Sequence, residues 1–172
     1  HGPADLREVC LEIAAQMVLA GKVCHQRQSA LEMVQQALST GKALEKFKEI
    51  ITAQGGNPCI VDNPELLPSA EFHADVTVPA QGYIRTIDAE QIGLAAVCLG
   101  AGRSRKDEPI DHSAGLIMHR RIGDYVKKDE ILATAFYNDE KLFPQASDII
   151  RNAFCVGDEP PKPEPLIYEV IV

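Results

Sequence analysis

The chain has no excess of basic residues, no long apolar run and no closely paired cysteines. Lysine and arginine number 17 against 25 aspartates and glutamates, giving a net charge of −8. A basic footprint is the first requirement for binding nucleic acid, so no nucleic-acid partner is expected. Local basic spots at Arg103, Arg105 and Lys106, at His119, Arg120 and Arg121, and at Lys127 and Lys128 each adjoin acidic residues and read as solvated surface. No apolar run approaches the roughly 18 residues of a membrane span, and no signal peptide is expected. The cysteines at 10, 24, 59, 98 and 155 are odd in number and form no CxxC pair. That argues against a disulfide framework or a zinc site and for a reducing, cytoplasmic setting. Cys24-His25 is read as incidental, because a thiol nucleophile also needs a base placed by the fold. No internal repeat or low-complexity segment stands out.

What is present is an ordinary globular composition, 45% hydrophobic and 24% charged over 172 residues. A chain of that size can bury roughly 70% of its unfolded surface without metal or disulfide. The first half has helical period. Pro3 suits a first turn, and Leu6, Val9, Cys10, Ile13, Met17 and Val18 mark one buried face, with Gly21 as the stop. A second helix is expected from about Ser29 to Thr40, with Met33, Val34, Ala37 and Leu38 inward. A third spans about Ala43 to Ala53, burying Leu44, Phe47, Ile50 and Ile51 before Gly55-Gly56. These helices are too few and short to stand alone, and their apolar faces imply a partner surface. Residues 57–71, punctuated by Asn57-Pro58, Asn63-Pro64 and Pro68-Ser69, read as a linker.

From residue 72 the period changes to two. Strands are expected at 72–78, 83–87, 116–119, 125–126 and 131–136, and helices after Asp88 and over 145–154. Asp88 with Gln91 has capping-box spacing. After prolines 160, 161, 163 and 165, a last strand is expected over 166–172. The order β-β-α-β-β-β-α-β predicts an α+β fold with a mixed or antiparallel sheet. The expected domains are a helical segment 1–56, the linker 57–71 and a C-terminal domain 72–172.

Several segments, in order, carry a family resemblance. They are Gly2-Pro3-Ala4-Asp5-Leu6-Arg7, then Phe47 and Ala53-Gln54-Gly55-Gly56. Gly82-Tyr83-Ile84, Ile87-Asp88, Ile92-Gly93 and Leu99-Gly100-Ala101-Gly102-Arg103 follow, then Ile110-Asp111, Gly115, Ile122-Gly123-Asp124, Val126 and Pro165-Leu166-Ile167-Tyr168-Glu169. The ordered set resembles the C-terminal part of the thymidine and pyrimidine-nucleoside phosphorylases. The resemblance implies an α/β-hammerhead-like C-terminal domain. It also implies a parent pentosyltransferase of pyrimidine salvage that uses inorganic phosphate as a substrate and works as a homodimer. The family's phosphate loop and base-gripping residues lie upstream of the matching segments. No catalytic or substrate-binding residue is therefore expected here, the fragment itself should be inactive, and its partner should be an N-terminal lobe of the same protein. Some bacterial members have a potassium ion with a Glu ligand just ahead of the Gly-Pro. His1 stands at that place, and imidazole is a poor ligand for a hard cation, so no metal site or cofactor is expected.

The loop Gly100-Ala101-Gly102-Arg103-Ser104-Arg105 has two readings. Its glycines and arginines could capture an anion, but it follows a helix, whose negative dipole end opposes one. It is expected instead to touch the N-terminal lobe when the cleft closes. An independent enzyme built on the loop to Pro109 is a further alternative; an acid-base pairing of His112 with Asp107, Glu108 or Asp111 is conceivable, but this charged loop is read as solvated surface. Residues 122–129 also resemble the turn of biotinyl and lipoyl carriers, which keeps a stand-alone carrier or binding module, modified at Lys127 or Lys128, as the competing hypothesis.

Overall fold

The computed structural model describes residues 2–103 and 105–171. Compactness divides them into two units. One holds the residues up to Leu66 together with those from Glu164 on, and the other is Leu67–Pro163.

The first unit contains helices α1 (Ala4–Ala20), α2 (Arg27–Ser39) and α3 (Lys42–Ala53), followed by short 3-10 turns at Pro58–Val61 and Pro64–Leu66. Helix α1 packs on α2, and α2 on α3. Two helices end in Schellman motifs, which satisfy the last carbonyls through a left-handed residue. At α3 that residue is Gly55, with Gly55 N–H donating to Thr52 O and Gly56 N–H to Ile51 O. At α1 it is Lys22, not Gly21, which keeps a right-handed conformation.

The helix positions agree with the periodicity, but the inward faces do so only in part, with Val9, Val18, Val34, Ala37 and Ile51 half-buried. Helix α1 buries Leu11, Glu12 and Ala15, while Leu6, Ile13 and Met17 are 58%, 56% and 70% exposed. Met33, Leu38, Leu44, Phe47 and Ile50 are also exposed. Apolar residues ring α1 on most sides, so period alone does not select the face that meets α2. Helices approach closely where the contact residues are small, and the fully buried residues of this pair are Ala15 and Ala30.

The second unit is α+β. Its elements are β1 (Phe72–Thr77), β2 (Gly82–Ile87), α4 (Ala89–Cys98), β3 (Gly115–Met118), β4 (Tyr125–Val126), β5 (Ile131–Tyr137), α5 (Phe143–Ala153) and β6 (Phe154–Gly157). They form two antiparallel sheets, ordered β1-β5-β3 and β4-β2-β6. The main core joins Val76, Val78, Ile84, Val126, Leu132, Ala133, Ile150 and Phe154. Leu99, Ala135, Tyr137 and Ala146 form a second cluster, in which Tyr137 stacks on Phe143 with centroids 5.2 Å apart.

Asp88 caps α4, its Oδ1 accepting from Glu90 N at 3.0 Å and Gln91 N at 3.1 Å. Asp88→Ala should cost about 1 kcal/mol, read as a lower denaturation midpoint with an unchanged slope. Asp88→Asn, which keeps the acceptor, should lose much less.

The predicted order β-β-α-β-β-β-α-β is found, but its last strand is a different segment. Helix α5 stops at Ala153, and Phe154 turns extended with φ −97° and ψ 124° to start β6 against β2. The strand expected over 166–172 is not formed: residues 166–171 have no ladder partner among the described residues and group with the helices.

Candidate functional site

Helix α4 ends in the same Schellman geometry. Gly100 has φ 101°, its N–H donates to Val97 O at 3.0 Å, and Ala101 N–H donates to Ala96 O at 3.0 Å. A Cβ on Gly102 would lie 2.6 Å from Val97 Cγ2, so the loop folds tightly back on the helix there. The Arg103 side chain and the Arg105 backbone both bond within the loop. Arg103 Nη1 donates to Lys106 O at 3.1 Å, and Arg105 N–H donates to a Glu108 carboxylate oxygen at 3.1 Å. Ser104 lies outside the described residues, as does His1. Gly100 thus acts as a helix stop, and the glycines' backbone turns the chain at the negative end of α4, a poor setting for an anion.

The loop's far end is held by carboxylate chemistry. Asp111 Oδ1 accepts from Ser113 Oγ at 2.6 Å and Ser113 N at 2.9 Å, and Oδ2 accepts from Asn138 Nδ2 at 2.6 Å. The Ser113 hydroxyl, the Ser113 amide and the Asn138 amide stabilise the ionised form, taking the pKa from 3.8 down to about 2. A depressed carboxylate adds stability that is complete above its unfolded pKa and lost as pH falls through the folded one. Asp111 should therefore titrate near 2 by NMR, and Ser113→Ala should move that midpoint upward. A midpoint at 3.8 would show that the contacts do not persist in solution.

This use of Asp111 takes its carboxylate out of the acid-base pairing considered with His112. His112 is exposed, while its neighbour's carboxylate is occupied by Ser113 and Asn138. His119 is more organised than its sequence context shows. Its Nε2 lies 2.8 Å from Thr134 Oγ1, which donates to Asp75 Oδ1 at 2.6 Å. Because the hydroxyl gives its proton to Asp75, it accepts from the ring. A nucleophilic hydroxyl needs the reverse, with imidazole accepting. The chain of bonds therefore ties β1, β5 and the end of β3 together without activating Thr134. His73 stacks on Phe136 with centroids 6.0 Å apart.

Lys127 and Lys128 lie in the turn between β4 and β5. These strands belong to different sheets, so the turn is a crossing between sheets and not the hairpin in which carriers present their lysine. Nothing in the geometry favours the carrier reading.

In the helical unit, Glu12 is almost fully buried at 7% exposure. Arg27 grips it with two parallel bonds, Nε to Oε1 at 3.0 Å and Nη2 to Oε2 at 2.5 Å, while Gln16 Nε2 donates at 2.9 Å. The Arg27 bonds, then Gln16, hold the Glu12 pKa below its ordinary value. An apolar groove of about 430 Å³ lies beside it, lined by Val9, Ile13 and Met17 of α1 and by Ile167 and Val170. A second trough of about 500 Å³ is lined by Glu45, Lys48, Glu49 and Pro58. Neither is lined by residues of 72–163, and neither gathers the arginines that an anion-binding pocket needs. Among the described residues no cluster of histidine, cysteine, aspartate and glutamate could hold a metal ion, and no helix is long and apolar enough to cross a membrane.

Comparison with known proteins gives a consistent result. The family model described as the pyrimidine nucleoside phosphorylase C-terminal domain matches residues 83–156, the stretch from β2 to β6. The pyrimidine-nucleoside phosphorylase of Geobacillus stearothermophilus is 35% identical over 171 residues, covering 99% of this chain and 39% of the relative. That of Bacillus subtilis (strain 168) is 40% identical over 142 residues, covering 83% of this chain and 33% of the relative. That of Staphylococcus aureus (strain MSSA476) is 32% identical, covering all of this chain and 39% of the relative. The chain spans about a third to two-fifths of the length of these relatives. From end to end it matches the C-terminal part of the pyrimidine-nucleoside phosphorylases, and residues 83–156 form that family's C-terminal domain.

Proposed function

We propose that this chain is the structural and interdomain part of a pyrimidine-nucleoside phosphorylase, and that the chemistry resides in a lobe upstream of it. The observation that carries the reading is the mismatch of coverage: 99% of this chain aligns, but only 39% of the relative. The structural use of Asp111, Arg103 and the glycines of the 100–103 turn within the chain itself supports it. In the whole protein, inorganic phosphate would attack the anomeric carbon of thymidine, uridine or deoxyuridine while the bond to the base breaks. The products are a pentose 1-phosphate and the free base. Such a step passes through an oxocarbenium-like state, so the site must hold the phosphate and stabilise charge leaving on the base.

In this reading residues 1–56 are the helical end of the parent α/β domain, 57–71 the linker and 72–172 the C-terminal domain. The exposed Leu44, Phe47 and Ile50 of α3 and Ile13 and Met17 of α1 are the surface an N-terminal lobe would cover. Exposed apolar patches of that kind mark interaction sites. The loop Gly100–Arg105 would meet the same lobe on closure, which excludes water and completes the site. The whole protein is read as a cytoplasmic homodimer.

The test is phosphorolysis by the purified chain. With phosphate and thymidine or uridine, free base should stay at the level of the enzyme-free control. Base release that scales with the concentration of the 172-residue chain would overturn the reading.

A further inference from the structure

We infer that Asn138 is a latch that couples the loop after α4 to the segment leading into β1. Asn138 directly follows Tyr137, the last residue of β5. That position is fixed by the Tyr137 ring, stacked between Phe72 at 5.9 Å and Phe143 at 5.2 Å. From this anchored point the side chain reaches two segments distant in sequence. Its Oδ1 accepts from Glu71 N at 2.7 Å. Its Nδ2 donates to Asp111 Oδ2 at 2.6 Å and to Ser113 Oγ at 2.8 Å.

The roles are mutually determined. Glu71 N–H can only donate and the Asp111 carboxylate can only accept, which fixes the orientation of the amide. Ser113 then accepts from Asn138 and donates to Asp111. Asp111 N–H in turn donates to Gly100 O at 2.9 Å, closing the loop onto the end of α4. Bonds that polarise one another in this way are worth more together than singly. The far end of the loop, at Asp111 and Ser113, is therefore fastened by a residue far along the chain, on the neighbouring strand end. The inference concerns the fold of this chain alone and does not depend on the proposed reaction.

Hydrogen exchange on the full 172-residue chain at pH 7 tests it. In Asn138→Ala, the amides of Glu71, Asp111 and Ser113 should all exchange faster, by about tenfold or more, while those of Ala133 and Ala135 in β5 stay slow. Loosening at Glu71 alone, with Asp111 and Ser113 unchanged, would overturn the latch. Should the alanine variant lose the sheet as well, Asn138→Asp carries the test. It keeps an acceptor for Glu71 but loses both donors and sets a second carboxylate against Asp111. Fast exchange at Asp111 and Ser113 with Glu71 still slow is expected, and unchanged exchange in the loop would contradict the proposal.

Discussion

Leu132→Ala is expected to destabilise the second unit by about 2–5 kcal/mol, the usual range for removing a fully buried leucine. The reason lies in the register of β5. Val76 of β1 pairs with Ala133, but the next residue, Thr77, pairs with Ile131, so Leu132 is the extra residue of a bulge. The bulge interrupts the alternation, and both Leu132 and Ala133 turn inward with no exposure. Leu132 thus fills the centre of the main core with Val76, Ile84, Val126 and Ile150. Backbone pairing locks the site too, since His119 N–H donates to Leu132 O at 2.9 Å. A site held this way cannot collapse onto the void, which favours the upper part of the range. Chemical denaturation should show the midpoint falling without a change of slope. A loss below about 0.5 kcal/mol, typical of surface positions, would mean that Leu132 is not at the centre of the core.

The second large effect is expected at Gly82, where β2 begins between β4 and β6. Its φ is 148°, a conformation that residues with a Cβ rarely adopt. An added Cβ would lie 2.7 Å from Gly157 O and 2.8 Å from Val156 Cγ1, both in β6. The first of these is backbone, which cannot swing aside. Gly82→Ala combines a strained backbone with overpacking and should cost on the order of 2–4 kcal/mol. Gly93→Ala is the control. That glycine sits in α4 with nothing within 4 Å of the added Cβ, and alanine favours a helix interior by about 0.5–1 kcal/mol over glycine. Thermal melting should therefore move in opposite directions for the two substitutions.

How far these features can be read from sequence follows from how local their causes are. Asp88 as a cap and Gly100 as a stop depend on residues within a turn, and both are found where the pattern places them. The alternation at 72–77 depends on burial of one face and is equally legible, whereas in β5 it holds only beyond the bulge at Leu132. Strand β6 is not legible, because no glycine or proline marks the change from α5, whose expected end at Phe154 lies one residue past the observed one. Residues 166–171 are rich in the apolar and β-branched side chains of a strand, yet a strand exists only where a ladder partner is in reach, and composition says nothing of that. The inward face of α1 is hidden for a different reason, since apolar residues on most of its sides make several faces equivalent until α2 selects one. Cross-strand polar chains are the least legible. Asp75 meets Thr134, and Glu71 meets Asn138, only through the pairing of β1 with β5. Burial of Glu12 likewise requires Arg27, which arrives from the next helix.

The family relationship also becomes clear only when local signals are combined. Gly82-Tyr83-Ile84 or Leu99-Gly100-Ala101-Gly102-Arg103 alone is a common turn or helix end. Their order fits one family, and each has a structural task here, as a strand start packed on β6 or a Schellman stop. The function proposed above gives these residues the part of a scaffold and gives the chemistry to a lobe upstream.

The most direct measurement of that division is a side-by-side assay of phosphate-dependent base release from thymidine and uridine by the 172-residue chain and by a protein extended upstream to the length of its relatives. Release by the extended protein and none above background by the short chain is the predicted result. Comparable release by both would place a complete catalytic site within residues 1–172 and contradict the account.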